Sequence, residues 1–138
     1  MCVIVLTITR RQASQAEVER LPASARGGIV EVIQRIEVAG KVVGIESSAL
    51  PAELLPRLET QMRYGQHLYP VLADYGLIVT RVEDTVWIDG AEPDAAVQLA
   101  VASQAPLLSA GRCAFVIDGQ AVELRLGRYL PEQIRYAA

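Results

Sequence analysis

Histidine is nearly absent, cysteine is scarce, and no basic run appears anywhere in the chain; each shortage removes a class of function. The single histidine, His67, has no Cys or His neighbour at ligand spacing, so no metal centre is expected. Cys2 and Cys113 lie too far apart in sequence to read as a disulfide framework, and free thiols in a reducing cytoplasm are the expectation. A formal net charge of -3 leaves no cationic surplus for a phosphate backbone, which argues against direct contact with nucleic acid. The opening apolar run CVIVLT is too short to cross a bilayer, and its arginines, Arg10 and Arg11, follow it where a signal peptide would have them in front. It reads as a first strand, with no membrane partner. Glycine is not arranged as a phosphate loop: Gly27-Gly28 precedes a strand and Gly111 lies inside one. A G-x-S-x-G turn is missing too, so no serine nucleophile and no cofactor is nominated.

What remains is the composition of one domain. At 138 residues, 51% hydrophobic and 21% charged, the chain is long enough to bury a core unaided and too apolar to stay disordered. Ser14 and Glu17 form an S-x-x-E capping box for a short helix that ends by Pro22. IVEVIQRIEV and KVVGIESSAL, joined at Ala39-Gly40, read as a hairpin at the centre of a sheet. Pro51 and Pro56 limit LPAELLPRL to a crossover with one helical turn. Leu68, Val71, Leu72 and Tyr75 recur at helical spacing before Gly76, a residue suited to a left-handed cap. LIVTRVEDTVWI is the longest strand candidate, and Pro93 opens an alanine-rich helix, PDAAVQLAVAS. Asp118-Gly119 marks a final hairpin. Strands at both ends with helices between them predict an α+β domain on a mainly antiparallel sheet, its helices on one face.

The order of these pieces resembles the UTRA effector-binding domain of HutC-type GntR transcriptional regulators. VIQRIEVAGKVVGIESSALPAELLPRL is similar to the family's signature hairpin and Leu-Pro crossover. LYPVLADYGLIVTRVEDT resembles its helix ending in Tyr-Gly with the strand that follows, and APLLSAGRCAFVIDGQAVELRLGRY its closing pair of strands. The resemblance spans nearly the whole chain. It implies a chorismate lyase-like, six-stranded antiparallel sheet over a ligand cavity, a homodimer, and control of DNA binding through a linked winged helix-turn-helix that residues 1-138 do not contain. Two positions depart from the family pattern. Where the family often carries a further arginine on the first hairpin strand, this chain has Gln34 or Ile36; where an aromatic follows the serine, it has Ala49.

Period-two alternation puts Glu123, Arg125 and Tyr129 on one face of the last strand, a polar row suited to a cavity wall or to a solvated sheet face. The resemblance implies that Glu123 and Tyr129 touch an effector. Arg35 is the nearby arginine able to fork an anionic group, or else to pair with Glu37 or Glu46; Glu46 and Ser48 share a face of the next strand and could read ligand hydroxyls. Arg112 is a weaker candidate, and Arg81, Glu83 and Asp84 suggest a surface or dimer edge. The effector-binding set is therefore Arg35, Glu46, Ser48, Glu123 and Tyr129, for a small polar or anionic metabolite in a domain that is not an enzyme. Two rivals stand beside it: a chorismate lyase-like enzyme, and a dimerisation module without effector binding.

Overall fold

The computed structural model describes residues 1-62 and 65-132. Six strands, β1 (Cys2–Arg11), β2 (Ile29–Val38), β3 (Lys41–Pro51), β4 (Val79–Gly90), β5 (Pro106–Val116) and β6 (Ala121–Tyr129), form one antiparallel sheet in the order β1-β2-β3-β6-β5-β4. The two hairpins, β2-β3 and β5-β6, meet at the β3-β6 seam, where Gly44 to Ala49 pair with Tyr129 to Leu124. The expectation that β2 and β3 make up the centre is thereby corrected: one strand from each hairpin is central, because two hairpins that share a core must join through their inner strands.

The connections follow local chemistry. Helix α1 (Gln15–Arg20) starts at the capping box, with the Ser14 side chain accepting from the Glu17 amide and Glu17 returning a bond to the Ser14 amide. Pro22 opens a 3-10 turn, Pro22–Ala25, that leads into β2. The two prolines after β3 reduce the crossover to a 3-10 turn and the four-residue α2 (Leu58–Gln61). Helix α3 (Leu68–Asp74) ends in a Schellman motif: Gly76, at φ 79°, bonds Ala73, while the Leu77 amide reaches back to the Leu72 carbonyl. The alanine-rich segment is helical only over α4 (Pro93–Leu99), since Ala100 turns left-handed at φ 54°.

Alternation along the strands gives the sheet two unlike faces. Over one face lie α2 and α3, packing Leu58, Leu68, Val71 and Leu72 on Val30, Val32 and Leu50. These two helices supply the cover on one face that the sequence predicts for all of them. The other two helices flank the opposite face: the α1 end places Leu21 on Ile29, Ala49 and Cys113, and α4 places Ala95, Ala96 and Leu99 on Leu107 and Leu130. Cys113 is buried and Cys2 exposed, both free. Burial raises the pKa of the Cys113 thiol above its ordinary value, as suits an inert core sulfur.

Candidate functional site

Where α3 crosses the β3-β6 seam, the first face changes from apolar to polar. Glu123 is fully buried, yet its carboxylate is satisfied from three sides. Ser48 Oγ donates to Oε2 at 2.6 Å, Arg125 Nε donates to the same oxygen at 2.8 Å, and the Tyr69 hydroxyl donates to Oε1. Arg125 is itself largely enclosed and reaches toward Glu46 at 3.6 Å. Glu46 in turn accepts the Tyr129 hydroxyl at 2.6 Å. The pairing register explains the convergence: Ser48 stands opposite Arg125, Glu46 opposite Gly127, and Gly44 opposite Tyr129. Because Gly127 and Gly44 have no side chain, the Tyr129 ring lies flat over both and carries its hydroxyl back to Glu46.

The electrostatics follow from enclosure. Burial opposes the charge on Arg125, but Glu123 and then Glu46 more than offset it, so its pKa is raised. Burial, then the neighbouring Glu123 carboxylate, pushes the Tyr69 phenol up to about 12. Tyr129 is raised in the same direction by burial and Glu46. A phenol whose folded pKa exceeds its unfolded one stabilises the fold below the unfolded value, and that contribution is lost as pH rises through the folded value. Native-state stability should therefore fall between the ordinary tyrosine range and about pH 12, and this alkaline limb should shrink in Tyr69→Phe. Urea unfolding at stepped pH checks it; a limb of equal size in the variant would assign the effect elsewhere.

Beside the cluster is a hollow of about 350 Å³ lined by Val3, Gln34, Glu46, His67, Tyr69 and Arg125, among others. A larger groove of about 540 Å³ crosses the opposite face past Arg11, Glu17, Glu31, Trp87 and Leu126. In that groove Arg11 is already held by Glu17 at 2.7 Å and Glu31 at 3.3 Å, and Arg112 and Arg125 contribute to its floor. The smaller hollow adjoins the buried network through Glu46, Tyr69 and Arg125.

Of the five residues singled out from the sequence, four meet here: Glu46, Ser48, Glu123 and Tyr129. Arg35 does not. It pairs with Ile45, an odd step along β2, so its side chain projects from the other face and donates to Glu37 at 2.6 Å. Its neighbour Gln34, paired with Glu46, faces the hollow instead. Sequence reasoning passed over Gln34, Tyr69 and His67 as site residues and left Arg125 out of the final set. Gln34 was recoverable from alternation alone, being in phase with Val32 and Ile36 on the helix-covered face, while Tyr69 carried no signal beyond its place beside the apolar stripe of α3. Arg112 forks Asp84 at 2.8 and 2.9 Å and sits 3.5 Å from the Tyr69 hydroxyl, bracing the cluster from β5. Arg81 stacks 3.9 Å over Phe115 and pairs with Glu83 on the strand edge. Among the described residues no group of three His, Cys, Asp or Glu side chains is placed to hold a metal ion, and no helix is long and apolar enough to cross a membrane.

The polar pocket is thus roofed by one short helix on an open six-stranded antiparallel sheet. Residues 2–135 match the model of the UTRA domain, and the chain belongs to that family of GntR-type transcriptional regulator domains. It is similar to the HTH-type transcriptional repressor PhnF of Mycolicibacterium smegmatis, with 29% identity over 112 residues, covering 80% of this chain and 45% of the repressor. The chain thus spans less than half the length of that relative. The crystal structure of the effector domain of PhnF from Mycobacterium smegmatis superposes with a TM-score of 0.90 at 22% identity, covering 99% of this chain and 85% of that one. The C-terminal domain of YurK from Bacillus subtilis gives 0.85 at 18% identity, covering 97% and 93%.

Proposed function

We propose that the chain is the effector-sensing and dimerisation domain of a cytoplasmic, HutC-type regulator, binding a small polar metabolite and passing the event to a linked winged helix-turn-helix. The observation that carries this reading is Arg125, which lines the hollow under α3 beside Glu46 and Tyr69 and is held from behind by the fully buried Glu123. A ligand seated there touches β3, β6 and α3 together, so it favours whichever arrangement of these elements fits it best. Any binder of the native state must raise stability. Titration calorimetry against a metabolite panel should find a ligand whose affinity drops in Glu123→Gln, which keeps the shape of the carboxylate and removes its charge. Unchanged binding in that variant would remove the site assignment.

We propose the exposed edge of β4 as the dimer contact. This strand is the sheet's β4 edge and has exposed Val82, Val86, Trp87 and Ile88, a long apolar edge of the kind that a monomer normally protects. Its sequence is self-complementary. In a two-fold antiparallel pairing centred on Thr85, Arg81 of one copy faces Asp89 of the other and Val82 faces Ile88, with no like charges opposed. Centring on Asp84 sets that residue against itself, and centring on Val86 sets Glu83 against Asp89. Ile88→Lys, at a position already 59% exposed, should leave the fold intact and give a monomer in sedimentation velocity. A wild-type monomer, or a dimer indifferent to the substitution, would refute this edge.

A further inference from the structure

We infer that the effector, granted the sensing role proposed above, is an amphiphile, with a polar head in the hollow under α3 and an apolar tail that runs past His67 onto the first residues of β1. A second hollow, of about 330 Å³, is lined by Met1, Cys2, Val3, Ile4, Glu37 and His67, among others. It shares Val3 and His67 with the hollow of about 350 Å³ that holds Glu46, Tyr69 and Arg125, so the two meet across that pair of side chains. Ligand pockets commonly measure about 300-1,000 Å³, and either hollow alone is at the lower end of that range. Joined, they suit a longer molecule.

The two compartments differ in chemistry. In the first, Arg125 gives Nε to Glu123 and has Nη1 only loosely placed, 3.6 Å from Glu46, so its terminal nitrogens can take up an acceptor on a ligand head. Glu46 Oε1, the other member of that loose contact, can accept from the same head. In the second, Met1, Cys2, Val3 and Ile4 offer thioether, thiol and hydrocarbon, while Glu37 is already engaged by Arg35 at 2.6 Å. β1 is an outer strand that pairs only with β2, Cys2 opposite Glu37 and Val3 opposite Ile36, so its opening residues stand at a corner of the sheet. Met1 is 77% exposed there, and covering it with a tail removes apolar surface from water. An unbranched thioether side chain also adapts its shape to what lies on it. His67 is the threshold between the two. It is the N-cap residue of α3, makes no side-chain cap bond and is exposed, so its ring can turn aside for a tail.

Two homologous series of probes read the tail: straight-chain carboxylates from acetate to octanoate, and vicinal diols of matching length, titrated by thermal shift at equal ionic strength. Affinity in at least one series should rise about two- to fourfold with each added methylene. Alkylation of Cys2 by iodoacetamide, located by peptide mass, reads where the tail lies, since Cys2 is exposed and Cys113 buried. The longest member of the responding series should slow that reaction severalfold, and the shortest should leave it unchanged. Cys2→Trp, made at an exposed position, fills the second hollow and should flatten the dependence on length. Silence of both series, affinity indifferent to length, a dependence that survives Cys2→Trp, or alkylation of Cys2 unslowed by the longest binder would each overturn the inference. The sensing role would stand through any of these, because it falls only with the metabolite panel and its Glu123→Gln control.

Discussion

Glu123→Ala is expected to cost about 3-5 kcal/mol of folding stability, the range found when one partner of a buried pair is removed and the other is left behind. The substitution takes the acceptor from Ser48, Tyr69 and Arg125 at once, and Arg125 then has only Glu46 at 3.6 Å within reach. Against a typical total of about 5-15 kcal/mol, that loss is enough to unfold the domain at moderate temperature. The penalty belongs to the orphaned charge more than to the lost contact. Arg125→Met in the same chain should therefore recover part of it, because a buried pair replaced by apolar groups of similar volume is tolerated far better than half a pair. Urea unfolding of both single variants and the double measures the coupling. Strict additivity, or a loss under about 1 kcal/mol in Glu123→Ala, would mean that the cluster is not a buried network.

Gly127→Ala should be nearly as damaging, by about 1-3 kcal/mol, although it adds one methyl group to a central strand. A Cβ at Gly127 would collide with the Tyr129 hydroxyl and ring, and one at Gly44 would meet the same ring at 2.5 Å. The tyrosine must then lift off its bed and give up Glu46. Pairing Gly127→Ala with Tyr129→Leu should restore most of the stability, since the shorter side chain clears the added methyl. Alanine tolerated at Gly127 without a companion change would show that the ring does not need this bed.

The two predictions rest on residues that were unequally legible. Glu123, Arg125 and Tyr129 could be placed on one face from spacing alone, because a strand's side chains alternate whatever its neighbours are. Glu46 and Ser48 followed by the same logic. Arg35 failed because its chemistry drew more attention than its parity: an arginine is the obvious anion ligand, but a shift of one residue exchanges the faces of a strand. Gln34, one position earlier, is what the hollow receives. Tyr69 was not legible at all. It comes from a helix more than fifty residues away in sequence from Glu123, and no local pattern announces a contact of that separation. The glycines were visible as strand interruptions, yet their purpose depends on a tyrosine reaching across from its own strand and the next.

Local grammar in the chain settled the kinds of element and most of their limits: the capping box at Ser14, the left-handed end at Gly76, the proline-broken crossover and the Asp-Gly hairpin all act within a few residues. The joining of the two hairpins through β3 and β6, the split of the helices between the faces, and the seating of a carboxylate, an arginine and two phenols around one hollow belong to the tertiary structure. Those outcomes depend on which apolar surfaces cover each other, and that is a property of the assembled core and not of any one segment.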